Sequence, residues 1–247
     1  MNIEQKSLAL RAERHAALGD PVRLRIADQL ALGDRSPSEL RSVLGVSSNL
    51  LAHHLGVLET AGLIERRRSE GDRRRSYVRL ARGAFGMLGA VDADRAADGT
   101  GPAVIVRASR VVFVCTGNSA RSPIAAALWR RASAVPAMSA GTKPAACTSP
   151  RAIAAAARHG LDLGVHSPRS LDGLVSDGDL VVAVCDRAHE KLCRLGTPGR
   201  EGALSCASEM HWSVPNPGRV GSDTAYDEVF DELESRVAGL VPRVASA

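Results

Sequence analysis

The sequence predicts two domains, a mainly α-helical module over residues 1–97 and an α/β domain over 110–247, joined by a linker over 98–109. Three observations carry this. The 247 residues, at about 150 per domain, fit one large or two small domains. The stretch 89–103, GAVDADRAADGTGPA, is rich in Gly, Ala and Asp and closes on a breaker cluster. Texture changes across it. Before the seam nearly every long segment has helical periodicity; after it, strand and helix patterns alternate.

Composition narrows the classes. Hydrophobic residues make up 45% and charged residues 24%, which suits a folded chain and rules out disorder throughout. The longest apolar runs, such as Val111–Cys115 and Leu180–Cys185, are far short of the roughly 18 residues that a spanning helix needs. No membrane partner is therefore expected. The N-terminus is charged and lacks an apolar signal core, so a cytoplasmic protein is expected. Five cysteines, an odd number, argue against a disulfide scaffold and for a reducing compartment. The net charge is +5 and the pI about 9.3. Residues 66–82 alone hold eight arginines against Glu70 and Asp72, which puts the basic excess where a nucleic-acid-binding module would carry it.

The elements of the first module follow in order. Residues 4–17 and 21–32 read as helices, the second with Asp20 as N-cap and Pro21 at its first position. A short third helix begins at Ser36-Pro37-Ser38-Glu39 and stops near Leu44-Gly45. A fourth runs from Ser47 or Ser48 to Ala61-Gly62. Two short helices across a tight Gly turn make a helix-turn-helix. At 100° per residue, Leu51, Leu55 and Leu58 form the core stripe of the fourth helix. Asn49, His53, Gly56 and Thr60 lie opposite. Ser48, Asn49 and His53, near its N-terminus, are the candidate base-reading residues, since that end enters the major groove. An ordinary solvated face is the alternative. Leu63–Arg67 and Arg74–Leu80 then read as two strands about the turn Ser69-Glu70-Gly71-Asp72. Arg66, Arg67, Arg68, Arg73, Arg74 and Arg75 line this hairpin, which places them as phosphate or minor-groove contacts of a wing.

Over residues 10–82 the chain resembles the ArsR-type winged helix-turn-helix repressors. The match lies in HAALGDPVRLRIADQL and SELRSVLGVSSNLLAHHLGVLETAGLIERRR. The resemblance implies binding to an inverted-repeat operator in double-stranded DNA. It also implies a homodimer through the helices 4–17 and 83–97, with Phe85, Leu88 and Val91 as an apolar seam. One departure stands out. Many members sense arsenite or metals through a cysteine pair on the third helix, but the first 114 residues here contain no cysteine. No metal site is expected in this module.

In the second domain, Val111–Val114 reads as a buried strand ending at Cys115. The loop Thr116, Gly117, Asn118, Ser119, Ala120, Arg121 and Ser122 follows, and then a helix through about Ala134. This is Cys-x5-Arg-Ser between a strand and a helix. Such a loop can turn its amides inward as an anion nest, with the helix dipole behind it and Arg121 as a planar fork. Cys115 at the base is expected to act as the nucleophilic thiolate toward a tetrahedral oxyanion such as phosphate or arsenate. The alternative is a structural cysteine at a strand end.

Residues 110–240 resemble the low-molecular-weight protein tyrosine phosphatases, including their arsenate-reductase branch. VVFVCTGNSARSP, the Ser139-Ala140-Gly141-Thr142 run, HGLDLGVHSPRSL and DLVVAVCDRAHEKL occur in the family's order. The resemblance implies a three-layer α/β fold with a four-stranded parallel sheet. It implies that Cys115 is the nucleophile, Arg121 the oxyanion binder and Ser122 a hydrogen-bond partner of the thiolate. Asn118 and Ser139 would hold the loop shape.

Two departures bear on activity. The family's general acid is the Asp of an Asp-Pro pair, and that position is Asn216. An amide cannot protonate a leaving oxygen, so a cysteine-dependent phosphatase or reductase activity is expected to be impaired. Asp223 and Asp227 are candidate substitutes. Cys185 and Cys193 lie roughly where the arsenate reductases carry their redox pair, with burial in a strand end and on an apolar helix face as the alternative. Cys147 and Cys206 read as structural. Three functions stay open. The first is a transcriptional regulator of an arsenic or phosphate-ester response with an oxyanion-binding domain. The second is a bifunctional arsenate reductase or tyrosine phosphatase. The third is a repressor whose degenerate phosphatase domain serves as an interaction surface. No cofactor is expected beyond the thiol reductant that the reductase reading requires.

Overall fold

The computed structural model describes residues 3–81, 84, 106–195 and 208–247. The chain divides into two compact units, Met1–Ser69 with Arg73–Gly101 and Glu70–Asp72 with Pro102–Ala247. Phe85, Leu88 and Val91, Cys206 and residues 98–105 of the expected linker lie outside the described residues.

The first unit opens with α1 (Ile3–Leu18), α2 (Pro21–Leu32), α3 (Pro37–Leu44) and α4 (Ser48–Thr60). Local chemistry sets their ends. Asp20 accepts hydrogen bonds from the Val22 and Arg23 amides at 2.9 and 3.0 Å. Ser36 and Glu39 complete a capping box at the start of α3. Gly45 closes α3 in the left-handed region at φ 67°, which glycine adopts without steric cost. Ser47 caps α4 by accepting the Leu50 amide. The antiparallel strands β1 (Ile64–Arg68) and β2 (Ser76–Leu80) form the hairpin, with Arg66 opposite Val78. Ile26, Leu30, Leu40, Leu51, Leu55, Leu58, Leu63 and Val78 are the centre of one core. The stripe expected on α4 is thus buried, and His54 joins it, facing Asp20 at 3.7 Å.

The second unit contains a parallel sheet in the order β5 (Ala137–Gly141), β4 (Arg110–Cys115), β6 (Asp179–Ala183), β7 (Ser208–His211). The two central strands, β4 and β6, carry continuous apolar runs because both of their faces are covered. The helix α5 (Arg121–Ala132) packs on β4 and β5. The helix α7 (Asp186–Leu195) packs on β4 and β6. The long α9 (Asp223–Leu240) lies on α5 and α6 (Pro150–Arg158). Between β7 and α9 sits a single-turn helix, α8 (Pro217–Val220). Trp129 and Phe113 are fully buried, their ring centroids 6.0 Å apart. This is the α/β domain with the four-stranded parallel sheet that the family resemblance implies.

One boundary is corrected. Val106–Ala108, assigned to the linker, forms β3 and pairs in parallel with β8 (Val244–Ser246). The domain therefore begins before residue 110. Its last strand supplies the hydrogen bonds that turn 106–108 from a linker into structure. Among the described residues, no helix is long and apolar enough to cross a membrane.

Candidate active site

The strand β4 is flanked by β5 on one side and β6 on the other. Its C-terminal end is a topological switch point, where open α/β sheets leave a crevice. Cys115 is the last residue of β4, and α5 starts six residues later at Arg121. The loop between them is held from outside. The carbonyls of Cys115, Thr116, Gly117 and Ser119 accept the amides of Thr142, Lys143, Ala145 and Ser149 at 2.8–3.0 Å. The Asn118 carbonyl meets His166 Nε2 at 3.1 Å. A trans peptide sets each N–H opposite the preceding carbonyl. With five carbonyls drawn outward, the amides of residues 116–120 turn to the inside. One of them, Asn118 N–H, points at Cys115 Sγ, 3.2 Å away.

Asn118 is the hub of the loop. It is the one described non-glycine residue with positive φ, at 48°, a region that Asn tolerates better than most residues. Its buried side chain explains the persistence of that conformation. Nδ2 donates to Ser122 Oγ at 3.0 Å and to Ser139 Oγ at 2.9 Å, and Oδ1 accepts the Arg169 amide at 2.9 Å. Ser122 Oγ lies 3.1 Å from Cys115 Sγ. The predicted set Cys115, Asn118, Ser122 and Ser139 is therefore one connected network. Gly141 is required beside it, since a Cβ there would fall 2.8 Å from the Thr116 carbonyl oxygen.

Arg121 is buried, and its Nη1 donates to the Val214 carbonyl at 2.9 Å. Burial works against its charge, but the thiols of Cys185 and Cys115, when ionised, and the carboxylates of Glu70, 3.8 Å away, and Asp186 more than offset this. Cys185 lies against the loop, its Sγ 3.6 Å from Thr116 Oγ1. Burial pushes its thiol up, and the Arg121 guanidinium opposes that only in part. Cys193 is corrected. It lies exposed on α7, its Sγ 3.6 Å from His189 Nε2, rather than on an apolar helix face. Cys147 is exposed as well.

Asn216 caps α8, its Oδ1 accepting the Gly218 amide at 3.1 Å. The candidate substitutes are engaged elsewhere. Asp227 accepts from Arg158 at 2.7 Å and meets His159 at 3.3 Å. The Arg158 hydrogen bond holds its carboxyl below the usual range, so it has no proton to give. Asp223 faces Arg151 at 3.9 Å. Sequence reasoning gave no role to His166 or to the pair Asp186–His211: His166 and Asp186 lie inside stretches that carry the family resemblance, but their partners are distant in sequence.

His166 gives the site a pH signature. Burial pushes its imidazole below the ordinary 6.5, outweighing the Asn118 hydrogen bond. The unfolded chain therefore takes up this proton first as pH falls. Stability should decline below about pH 6.5 and the penalty should be complete below the folded-state value. The urea midpoint is expected to drop between about pH 7.5 and 5.5, and His166→Gln to flatten that slope. An equal slope in the variant would assign it to other groups.

In the first unit, Ser48, Asn49 and His53 are exposed on α4, and Ser48 Oγ accepts Arg41 Nη1 at 3.1 Å. Arg68, Arg73, Arg74 and Arg75 are exposed on the hairpin and Arg67 is half-buried. Arg66 meets Glu59 at 3.2 Å. Among the described residues no cluster of His, Cys, Asp and Glu could hold a metal ion.

Residues 110–247 match the family described as low molecular weight phosphotyrosine protein phosphatase. Residues 18–67 match a helix-turn-helix domain. A relative from Ralstonia nicotianae, a probable low molecular weight protein-tyrosine-phosphatase, is 32% identical over 139 residues, covering 54% of this chain and 94% of its own. Arsenate reductase 2 of Staphylococcus epidermidis is 27% identical, covering 54% of this chain and 96% of its own. Among solved structures, an arsenate reductase from Archaeoglobus fulgidus is 30% identical with a TM-score of 0.41, covering 53% of this chain and 98% of its own.

Proposed function

The chain belongs to the low molecular weight phosphotyrosine protein phosphatase family, and from that premise we propose that it is a DNA-binding transcriptional regulator whose C-terminal domain binds a tetrahedral oxyanion. The observation that carries the reading is the cup over Cys115, with inward amides and Arg121, in one chain with a helix-turn-helix and an arginine-rich hairpin. Phosphate, arsenate or a phosphate ester is the ligand class that such a cup fits. In this reading the first unit acts as an ArsR-type repressor, dimerised through α1, which exposes Leu8 and Leu10. The dimer binds an inverted repeat upstream of genes for arsenic resistance or phosphate-ester metabolism.

DNA binding supplies the test. Arg73, Arg74 and Arg75 changed together to Ala should weaken binding to every duplex. The log–log salt slope should become shallower by about 2–3, close to one for each phosphate that is no longer neutralised. Asn49→Ala should instead relax base preference, by about 1–3 kcal/mol of discrimination. Fluorescence anisotropy with the chain's own promoter and a scrambled duplex separates the two effects. Equal affinity of the wild-type chain for both duplexes would remove the repressor reading.

A second reading has its own support. Cys185 lies against the loop of Cys115, the placement that a thiol needs to resolve an oxidised nucleophile. On that ground the domain is an arsenate reductase, with arsenate as substrate and an external thiol as reductant. Arsenate-dependent consumption of a dithiol, lost in Cys185→Ser, is its expected signature.

A further inference from the structure

We infer that Asp186 and His211 form a positioning pair that aims the Arg121 guanidinium at the anion, an inference that rests on the oxyanion reading of the cup. Arg121 Nη1 donates to the Val214 carbonyl at 2.9 Å and lies 3.8 Å from the Glu70 carboxylate. The carbonyl is the shorter tie, so whatever fixes residues 211–214 bears directly on the fork. The backbone contributes Trp212 N–H to the Ala183 carbonyl and Val214 N–H to the Trp212 carbonyl, both at 2.8 Å. These bonds tie the start of the segment to the sheet. Nothing in them sets the outward swing of its far end.

Side chains supply that restraint. Asp186, in the first turn of α7, accepts a hydrogen bond from His211 Nε2 at 2.9 Å, with both groups buried. The same carboxylate accepts from Ser213, one residue before Val214. Burial would push the Asp186 carboxyl up, but His211, the Glu70 amide at 2.8 Å and Ser213 together hold it below the usual range, so it stays an acceptor. The His211 ring is kept in its plane by stacking on His189, 4.1 Å between centroids and 8° from parallel. The clamp thus joins the start of α7, next to Cys185, to the segment that carries Arg121's acceptor. A planar guanidinium rewards correct aim with two parallel bonds to an oxyanion and loses them on a small rotation. No hydrogen bond joins these groups to Cys115, Asn118, Ser122 or Ser139, so the shape of the loop does not depend on them.

The test uses the full chain and arsenate as the probe. Iodoacetamide labelling of Cys115 is followed by peptide mass spectrometry at increasing arsenate, which yields a protection constant. That constant is a property of each folded molecule and does not move when a variant is merely less stable. His211→Leu is expected to weaken protection about tenfold or more, the scale of a misplaced positioning group. Its labelling rate without arsenate is its own baseline, against which protection is scored. His211→Gln, whose Nε2 reaches the same carboxylate, should recover most of the loss. Should His211→Leu fail to fold, Ser213→Ala removes the second donor at smaller cost in volume and should weaken protection severalfold. Protection equal to wild type in the folded variants would overturn the inference while leaving the oxyanion reading standing. A wild-type chain that arsenate does not protect would overturn the oxyanion reading, and this inference with it.

Discussion

Replacing Cys115 with Ser is expected to abolish turnover of aryl phosphates, by a factor on the order of 10⁴ or more, the scale of removing a covalent nucleophile. The geometry says why the loss should be chemical and not structural. Cys115 Sγ accepts the Asn118 amide and lies beside Ser122 Oγ, and a serine oxygen can make both contacts. The five outward carbonyls and the Asn118 hub do not involve the sulfur. The cup should keep its shape and still bind arsenate or phosphate, as isothermal calorimetry would record. The same variant separates regulator from enzyme. If oxyanion still releases the DNA in Cys115→Ser, sensing needs binding alone. If release is lost while binding persists, the signal is the covalent or oxidised cysteine. If neither turnover nor binding is found in the wild-type chain, the domain is an interaction surface and the oxyanion reading falls.

Much of this was legible in the residues because the chemistry is local. Asp20-Pro21, the Ser36/Glu39 box and Gly45 announce helix ends within a few positions. The Cys-x5-Arg-Ser loop announces an anion cup because its spacing, strand before and helix after, is contiguous. What escaped the sequence is what long separations bring together. The strand Val106–Ala108 is three residues long, too short to show alternation, and its partner lies at the other end of the domain. His54 looks like any residue of a recognition helix until Asp20 is found opposite it. Asn118 could be assigned to loop shape by resemblance, but its bond to the Arg169 amide spans 51 residues. Asp186, His211 and Ser213 lie on two elements with no shared motif. Cys193 follows the apolar period of α7 closely enough to suggest burial, yet Leu192 beside it takes the buried side and Cys193 is left exposed.

Asn216→Asp should raise turnover of poor leaving groups more than any other single change. A general acid contributes typically about 10²–10⁴ in rate, and the wild-type chain lacks one at this position. The substitution is isosteric. Asn216 caps α8 through Oδ1, and Asp is as good an N-cap, so one carboxylate oxygen keeps the fold while the other gains a proton to donate. Asp227 is bound by Arg158 and held ionised, which argues against a proton already arriving from that side. Leaving groups that depart readily as anions need little protonation. The wild-type chain should therefore hydrolyse p-nitrophenyl phosphate measurably and phosphotyrosine poorly. In the variant kcat for phosphotyrosine should rise most and that for p-nitrophenyl phosphate least, and a plot of log kcat against leaving-group basicity should flatten. Anion affinity should change little or fall slightly, because the new carboxylate repels the ligand. A wild-type chain that already hydrolyses phosphotyrosine as fast as p-nitrophenyl phosphate has another proton donor, and the purely sensory role weakens with it. A variant with no gain in either substrate places the barrier upstream of leaving-group protonation, in the attack of Cys115 itself.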